Sequence, residues 1–157
     1  LAELGIGGGR LPREYGGAGL SATAAGLALA ELARVDGSIS TIQMIHSYLV
    51  TDTIFKLGSE EQRKRYLPRL CSYEWLGAWA LTEPEAGSDA GGLETVATPV
   101  AGGWKLSGRK RWIGNAPLAQ VIVVWARNAE TKAVHAFLVE PESSTPGLRV
   151  ETMKGKI

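Results

Sequence analysis

The sequence WALTEPEAGSD, residues 79–89, closes an apolar segment and opens a loop rich in hydroxyl groups. The apolar residues Leu76–Leu81 predict a short strand. Pro84 removes a backbone donor and restricts its own φ, whereas Gly87 permits a close or left-handed approach of the backbone. Such a loop has a defined shape and can hydrogen-bond a large, flat, polar ligand along its length. A plain Pro-Gly connection between two strands is the alternative on local chemistry.

A second motif, WIGN at residues 112–115, follows about one hairpin later. Together the two motifs resemble the flavin-binding signature of the acyl-CoA dehydrogenase and acyl-CoA oxidase family, and the similarity extends over nearly the whole chain. Within the family, the WIGN spelling resembles the plant-type short-chain peroxisomal oxidases, and the chain also resembles the glutaryl-CoA dehydrogenases. The resemblance implies an FAD-dependent enzyme that oxidises short-chain acyl-CoA thioesters between Cα and Cβ, as in fatty-acid β-oxidation.

The same resemblance implies a set of cofactor contacts. The residues expected to bind FAD are Trp79, Ala80, Leu81, Thr82, Gly87, Ser88, Trp112, Ile113 and Gly114. Leu81 and Thr82 would lie nearest the flavin ring, and Trp112 would cover its other side. A large, flat, apolar indole suits that role, although a place in the sheet core is the alternative for a tryptophan.

Two residues are expected to contact the substrate, Ser88 and Thr41. Ser88 matches the family serine that meets the nucleotide portion of the acyl-CoA. In glutaryl-CoA dehydrogenases an arginine followed by a serine binds the distal carboxylate, but here Ser40 and Thr41 occupy those positions. Burying a carboxylate without a cation costs several kcal/mol. We therefore expect monocarboxylic acyl chains, with a glutaryl-CoA-like dehydrogenase as the alternative.

Gly114 departs from the family pattern, because dehydrogenases usually carry threonine there. A glycine loses the hydroxyl that would reach the flavin and leaves room beside the ring for a small oxidant. We therefore hypothesise that oxygen, instead of an electron-transfer flavoprotein, accepts the electrons. This would make the protein a peroxisomal oxidase, with a mitochondrial or bacterial cytoplasmic dehydrogenase as the alternative.

The catalytic base is expected beyond Ile157, in a C-terminal helical domain. Family members use a glutamate from that domain to remove the α-proton, and none of Glu83, Glu85 and Glu94 matches it. The chain begins with Leu1 and stops without a closing element, so we interpret it as a fragment that is inactive alone. The family implies a homotetramer for the complete protein. A catalytically silent flavin-fold module is the alternative outside the enzymes.

Composition narrows the remaining function classes. The chain has 157 residues, 45% of them hydrophobic, which suits one domain or two small ones. A net charge of +1 with interspersed signs predicts no general attraction to nucleic acid or anionic membranes. No apolar run reaches the length of a membrane span. The single cysteine, Cys71, has no companion at metal-ligand spacing, so we predict no metal site.

Residues 1–72 predict an α-helical domain. Ser21 is a candidate N-cap for a first helix beginning at Ala22, and a second helix is expected from Ser38 or Ser40 to Gly58. The segment 59–62 has the spacing of a capping box and predicts a third helix ending near Leu67, before Pro68. His46 is expected to be packed or hydrogen-bonded instead of binding a ligand.

Residues 73–157 predict a β domain, because short β-favouring runs alternate with turn residues. These runs are residues 96–100, 104–106, 121–125 and 134–139. The expected fold class is therefore α+β: an N-terminal α-helical domain followed by a mostly antiparallel β-barrel domain, incomplete at its C-terminus.

Overall fold

The computed structural model describes residues 1–141 and 146–155, which form a helical region followed by a β-sheet. Residues 142–145 and 156–157, assigned to the β domain from the sequence, lie outside the described residues. The elements are α1 (Ala22–Val35), α2 (Gly37–Met44), α3 (Thr51–Leu57), α4 (Glu60–Cys71), β1 (Gly77–Ala80), β2 (Val96–Val100), β3 (Gly103–Ser107), β4 (Val121–Asn128) and β5 (Val134–Val139). This order confirms the predicted α+β class.

Side-chain caps explain where the helices begin. The hydroxyl of Ser21 accepts a hydrogen bond from the backbone N–H of Ala24 at 3.2 Å, which caps α1 as predicted. The carboxylate of Asp36 caps α2 in the same way. Ser59 and Gln62 form the predicted capping box of α4, with reciprocal bonds of 3.2 Å and 2.9 Å.

Helix α4 continues past Pro68 to Cys71, although the sequence predicted its end near Leu67. A proline inside a helix costs about 3 kcal/mol, because it lacks a backbone donor and crowds the preceding turn. Packing offsets this cost, since Leu67 and Leu70 are fully buried. Tertiary burial therefore overrides the local signal for a helix end.

The second predicted helix is interrupted by a π-helical turn at Ile45–Val50, which joins α2 to α3. This turn buries His46, Ser47 and Val50. The hydroxyl of Ser47 donates to the carbonyl of Gly7 at 2.5 Å. The π-helical turn therefore places a hydroxyl donor at a buried carbonyl group of the N-terminal segment. A regular α-helix would direct that hydroxyl elsewhere.

Strand β4 is the centre of the sheet. It pairs in parallel with β1 and, near its end, with β2, and it pairs antiparallel with β5; β2 and β3 form an antiparallel hairpin. The sheet is thus mixed, and the longer pairings, β2 with β3 and β4 with β5, are antiparallel, as the sequence predicted for most of the domain. The parallel pairings arise because long connections after β1 and after β3 bring β4 beside β1 and β2, which are not its sequence neighbours.

Within the described residues the sheet is open, because β1, β3 and β5 each pair with one strand only. Trp104 of β3 and Phe137 of β5 nevertheless meet edge to face with ring centroids 5.3 Å apart. Because these strands do not pair with each other, the contact requires a strongly curved sheet.

One hydrophobic core joins the helices to the sheet. Val50, Ile54 and Leu70 contribute from the helical region, and Val121 and Val123 contribute from β4. Gly77 of β1 lies directly against Val50, because a Cβ built on Gly77 would be 2.6 Å from a Val50 methyl group. The start of β1 is therefore held closely against the π-helical turn.

The glycines near Tyr15 serve backbone packing. A Cβ on Gly17 would lie 2.1 Å from the carbonyl oxygen of Leu11, and the N–H of Gly19 donates to that same oxygen at 3.0 Å. This close approach of two backbone segments explains why a glycine occupies position 17.

The basic residues of α4 are ion-paired. The ammonium of Lys64 lies 3.4 Å from Glu60, and the guanidinium of Arg65 lies 2.6 Å from Glu140, just after β5.

In the part of the chain that the structure describes, no helix combines the length and apolarity needed to span a membrane. Residues 1–141 and 146–155 also contain no group of three acidic, histidine or cysteine side chains that could hold a metal ion.

His46 joins the helical region to the sheet. It is fully buried and stacks on Tyr73, with ring centroids 4.4 Å apart. The N–H of Gly77 donates to Nδ1 at 3.0 Å, so the hydrogen must be on Nε2, which donates to the Leu70 carbonyl at 2.8 Å. The structural role predicted for this histidine is confirmed.

We expect acid to destabilise the fold through His46. Burial lowers the pKa of this imidazole from 6.5, and the bond to the Leu70 carbonyl only partly opposes that shift. The unfolded chain therefore takes up a proton more readily than the folded one. The contribution of neutral His46 to the free energy of unfolding is fully present above the unfolded pKa. It is lost as the pH falls through the folded pKa, by at most about 1.4 kcal/mol per pH unit.

Denaturant unfolding of the protein and of His46→Gln, between about pH 5 and 8, measures this effect. In His46→Gln, the free energy of unfolding should change less steeply with pH, because the contribution of His46 is removed. His135→Gln is the control, because His135 is exposed and is the second of the two histidines. Identical slopes in the protein and in His46→Gln would assign the acid sensitivity to other groups.

Candidate functional site

The two motifs singled out in the sequence lie side by side in the structure. The N–H of Arg111 donates to the carbonyl of Thr82 at 2.9 Å, and the ammonium of Lys110 donates to the carbonyl of Leu81 at 3.0 Å. The end of β1 is therefore bound directly to the turn that carries Trp112. We call residues 81–88 the β1 loop and residues 110–115 the Trp112 turn.

Glu83 anchors the β1 loop from inside. Its carboxylate accepts hydrogen bonds from the N–H groups of Glu94 at 2.6 Å and Thr95 at 3.0 Å, from the Thr95 hydroxyl, and from Lys110 at 2.8 Å. Burial raises the pKa of Glu83, but the bonds from Lys110, Thr95 and the backbone outweigh it and lower the pKa to about 2. Glu83 is therefore an ionised structural group, unsuited to accept a proton near neutral pH.

Trp79 packs its side chain away from the β1 loop. The indole N–H donates to the hydroxyl of Thr53 in α3 at 3.3 Å, and the ring meets Trp125 edge to face at 6.0 Å. This is the core position considered above as the alternative. Trp79 is half-buried in this position, and neighbouring Ala80 is only 3% exposed.

The outer part of the β1 loop is open. Leu81 and Thr82 are half-buried, whereas Gly87 and Ser88 are exposed. A Cβ built on Gly87 would meet nothing within 4 Å. The loop thus offers hydroxyl and backbone groups, with open space beside Gly87.

Trp112 is held in a conformation that few large residues adopt. Its φ is +63°, in the left-handed region, and 54% of the residue is exposed. The guanidinium of Arg111 lies 4.6 Å from its ring centroid. Such strain combined with an exposed aromatic face is typical of a binding site.

Asn115 fixes the far end of the Trp112 turn. It too has a positive φ, +67°, which asparagine tolerates better than most residues. Its side-chain amide donates to the carbonyl of Gly77 at 3.1 Å. Gly77 begins β1, so this bond ties the Trp112 turn to the start of the strand. The bond from Arg111 to Thr82 ties the same turn to the segment just after the strand.

Gly114 does not leave the room that the sequence suggested. A Cβ at this position would lie 2.5 Å from Cδ1 of Ile45, at the start of the π-helical turn. The space beside the glycine is therefore filled by an apolar side chain. Neighbouring Ile113 is half-buried and packs against the small cluster that includes Ala78 and Ala80.

Thr41 and Ser40 use their hydroxyls within the helices. Ser40 donates to the carbonyl of Leu29 at 3.0 Å, and Thr41 donates to the carbonyl of Gly37 at 2.8 Å. Thr41 is exposed and lies one helical turn before Ile45. The backbone N–H of Ile45 donates to the carbonyl of Thr41, and the Ile45 side chain lies against Gly114. Thr41 is therefore linked to the Trp112 turn only through Ile45.

Sequence reasoning missed two residues of this site. Lys110 and Ile45 were not singled out, although Lys110 donates to the carbonyl of Leu81 and Ile45 lies against Gly114. Asn115 was named only as the last residue of the WIGN motif, and an asparagine after glycine favours a left-handed turn. Lys110 and Ile45 meet their partners through contacts that no local pattern indicates.

Comparison with known proteins agrees with this geometry. Residues 1–74 match the model of the acyl-CoA dehydrogenase N-terminal domain, and residues 78–157 match that of the acyl-CoA dehydrogenase middle domain. An acyl-CoA dehydrogenase of Bacillus subtilis is 38% identical over 100% of this chain and 42% of its own length. The mitochondrial short-chain specific acyl-CoA dehydrogenase of Bos taurus is 36% identical over 100% of this chain and 38% of its own.

A solved structure gives the same result. The glutaryl-CoA dehydrogenase of Mycobacterium smegmatis in complex with FADH2 superposes with a TM-score of 0.86 at 38% identity, over 93% of this chain and 36% of that one. The chain thus spans about two fifths of the length of the curated relatives it matches. It belongs to the acyl-CoA dehydrogenase family, oxidoreductases that act on CH–CH groups, and comprises that family's N-terminal helical and middle β domains.

Proposed function

We propose that the β1 loop and the Trp112 turn bind FAD, and that the complete protein oxidises short-chain monocarboxylic acyl-CoA thioesters between Cα and Cβ. The observation that carries this proposal is the exposed, strained indole of Trp112 beside the open β1 loop. When bound, FAD supplies the acceptor for a hydride from the substrate. The chain's own residues bind and orient the reactants.

The residues present suit such a cofactor. Trp112 offers a flat apolar face, and Leu81 and Thr82 combine an apolar side chain with a hydroxyl at the base of the loop. Gly87 and Ser88 present backbone and hydroxyl groups beside open space, which suits a polar or phosphate-bearing portion. Among the residues first assigned to FAD, Ala80 is buried and Trp79 is half-buried against the core, so the more exposed residues of the loop are the main candidates for contact.

The substrate proposal depends on the absence of charge at two positions. Ser40 and Thr41 are neutral, and their hydroxyls already donate to helix carbonyls. A distal carboxylate brought near them would lose its hydration without gaining a cation. We therefore favour monocarboxylic chains, and Ser88, exposed on the β1 loop, is our candidate contact for the nucleotide portion. The catalytic glutamate and a tetrameric assembly stay predictions from the family.

An electron-transfer flavoprotein is our proposed acceptor. The hypothesis that oxygen accepts the electrons depended on free space beside Gly114, and the side chain of Ile45 occupies that space. The relatives named above are a bacterial and a mitochondrial protein, so they give the peroxisomal location no support. A mitochondrial or bacterial cytoplasmic location accordingly replaces it in our proposal.

Anaerobic mixing of the complete protein with acyl-CoA tests cofactor and substrate together. The purified protein should show flavin absorbance, and butyryl-CoA should bleach it at least about tenfold faster than glutaryl-CoA. A colourless protein that refuses added FAD would contradict the flavin site. Equal bleaching rates would contradict the substrate proposal, and bound flavin that neither substrate bleaches would favour the silent module.

The same reduced sample, exposed to air, tests the acceptor. Reoxidation should be slow in air and fast when an electron-transfer flavoprotein is added. Rapid reoxidation by air alone would restore the oxidase hypothesis in spite of Ile45.

A further inference from the structure

Glu83 and Lys110 form an ion pair that is nearly removed from solvent. Their side chains are 5% and 12% exposed, and the ammonium lies 2.8 Å from Oε1 of the carboxylate. Seven other ion pairs of the described residues each include at least one partner that is 30% or more exposed. The Glu83–Lys110 pair therefore differs from them in burial.

Both charges have further partners that fix their positions. Lys110 also donates to the carbonyl of Leu81, and Glu83 also accepts from Glu94 and Thr95. Burial lowers the pKa of Lys110, whereas the hydrogen bond and the charge of Glu83 partly oppose that shift. Breaking a buried pair by removing one partner leaves an uncompensated charge, which is strongly unfavourable.

The pair also has a defined position in the chain. Glu83 lies in the β1 loop, four residues before Gly87, and Lys110 lies two residues before Trp112. The hairpin of β2 and β3 separates the two segments in sequence. The pair therefore acts as a clamp between the loop and the turn, beside the backbone bond from Arg111 to Thr82.

We propose that Glu83 and Lys110 are positioning residues for FAD: their ion pair holds the β1 loop in register with the Trp112 turn and so sets the affinity for the cofactor. This inference rests on the proposed function. Neither side chain needs to touch FAD, because each acts by placing the exposed surfaces that do. Pre-organising a binding surface raises affinity by reducing the ordering that binding must impose.

Lys110→Met in the complete protein tests this inference. Methionine keeps most of the side-chain volume and removes the charge. The dissociation constant for FAD, measured by titrating apoprotein, should rise by at least about tenfold. Lys105→Met is the matched control, since Lys105 is exposed on β3, and it should change the constant by less than about twofold.

A purely structural role is distinguished by measuring the folded apoprotein. If the pair served stability alone, Lys110→Met would unfold at a lower temperature, yet its folded fraction would bind FAD like the parent. An unchanged FAD constant well below the melting temperature would therefore overturn the inference.

Thr95→Val provides a milder second variant in case Lys110→Met does not fold. It removes one hydroxyl donor to Glu83 at constant shape and should weaken FAD binding by about threefold or more. Thr98→Val, on the exposed side of β2, is its control. A Thr95→Val protein that binds FAD like its control would overturn the inference. Failure of the unmodified protein to bind FAD would instead refute the proposed function.

Discussion

Replacing Trp112 by alanine is expected to weaken FAD binding by about 10- to 100-fold. Trp112 is 54% exposed, and the Arg111 guanidinium lies over its ring, so a ligand can reach the part of the indole surface that Arg111 leaves open. Covering such a face contributes about 1–3 kcal/mol to binding. The fold should change little, because the side chain contributes little to the buried core.

Titration of apoprotein with FAD, followed by flavin fluorescence or absorbance, measures this loss. Trp104→Ala is the matched control, since Trp104 is also an exposed tryptophan of the β domain, at 45%. It lies outside the β1 loop and the Trp112 turn and should leave FAD affinity nearly unchanged. Equal losses in the two variants would mean that Trp112 has no special place in the cofactor site.

Replacing Gly77 by alanine is expected to lower the free energy of unfolding by about 2–4 kcal/mol. The new methyl group would lie 2.6 Å from Cγ1 and 3.0 Å from Cβ of Val50. Since Val50 is fully buried, one of the two segments must move. Movement of β1 would also strain the bonds that Gly77 makes to His46 and Asn115.

A double-mutant cycle with Val50→Ala tests the cause of this destabilisation. Val50→Ala alone should cost about 2 kcal/mol through lost burial. Together the two substitutions should cost less than their sum by about 1–2 kcal/mol, because the methyl groups that collide are gone. Strict additivity would contradict a direct clash between Gly77 and Val50.

Gly26→Ala is the control for the general effect of adding a methyl group to glycine. Gly26 lies exposed within α1, and a Cβ there would meet nothing within 4 Å. The substitution should stabilise the protein by about 0.5–1 kcal/mol, because alanine favours the helix. Opposite signs at Gly26 and Gly77 would show that tertiary contact decides the outcome.

The difference between the two glycines illustrates what sequence can predict. Gly26 follows local helix propensity, and so do the caps at Ser21 and Ser59, because these interactions connect residues a few positions apart. The proximity of the β1 loop and the Trp112 turn was also predictable, because the two sequence motifs together resemble a single signature. Pro68 shows the limit, because burial of Leu67 and Leu70 overrides a correct local signal.

By itself, then, the sequence determined the kinds of element, most of their bounds and the two segments that form the candidate cofactor site. Only the tertiary structure decided that β4 enters the sheet parallel to β1, that Ile45 fills the space beside Gly114, and that Trp79 faces the core. It also decided that Glu83 is a buried anchor for Lys110. These features depend on contacts between residues far apart in the chain, whose energies arise from burial and have no counterpart in local patterns.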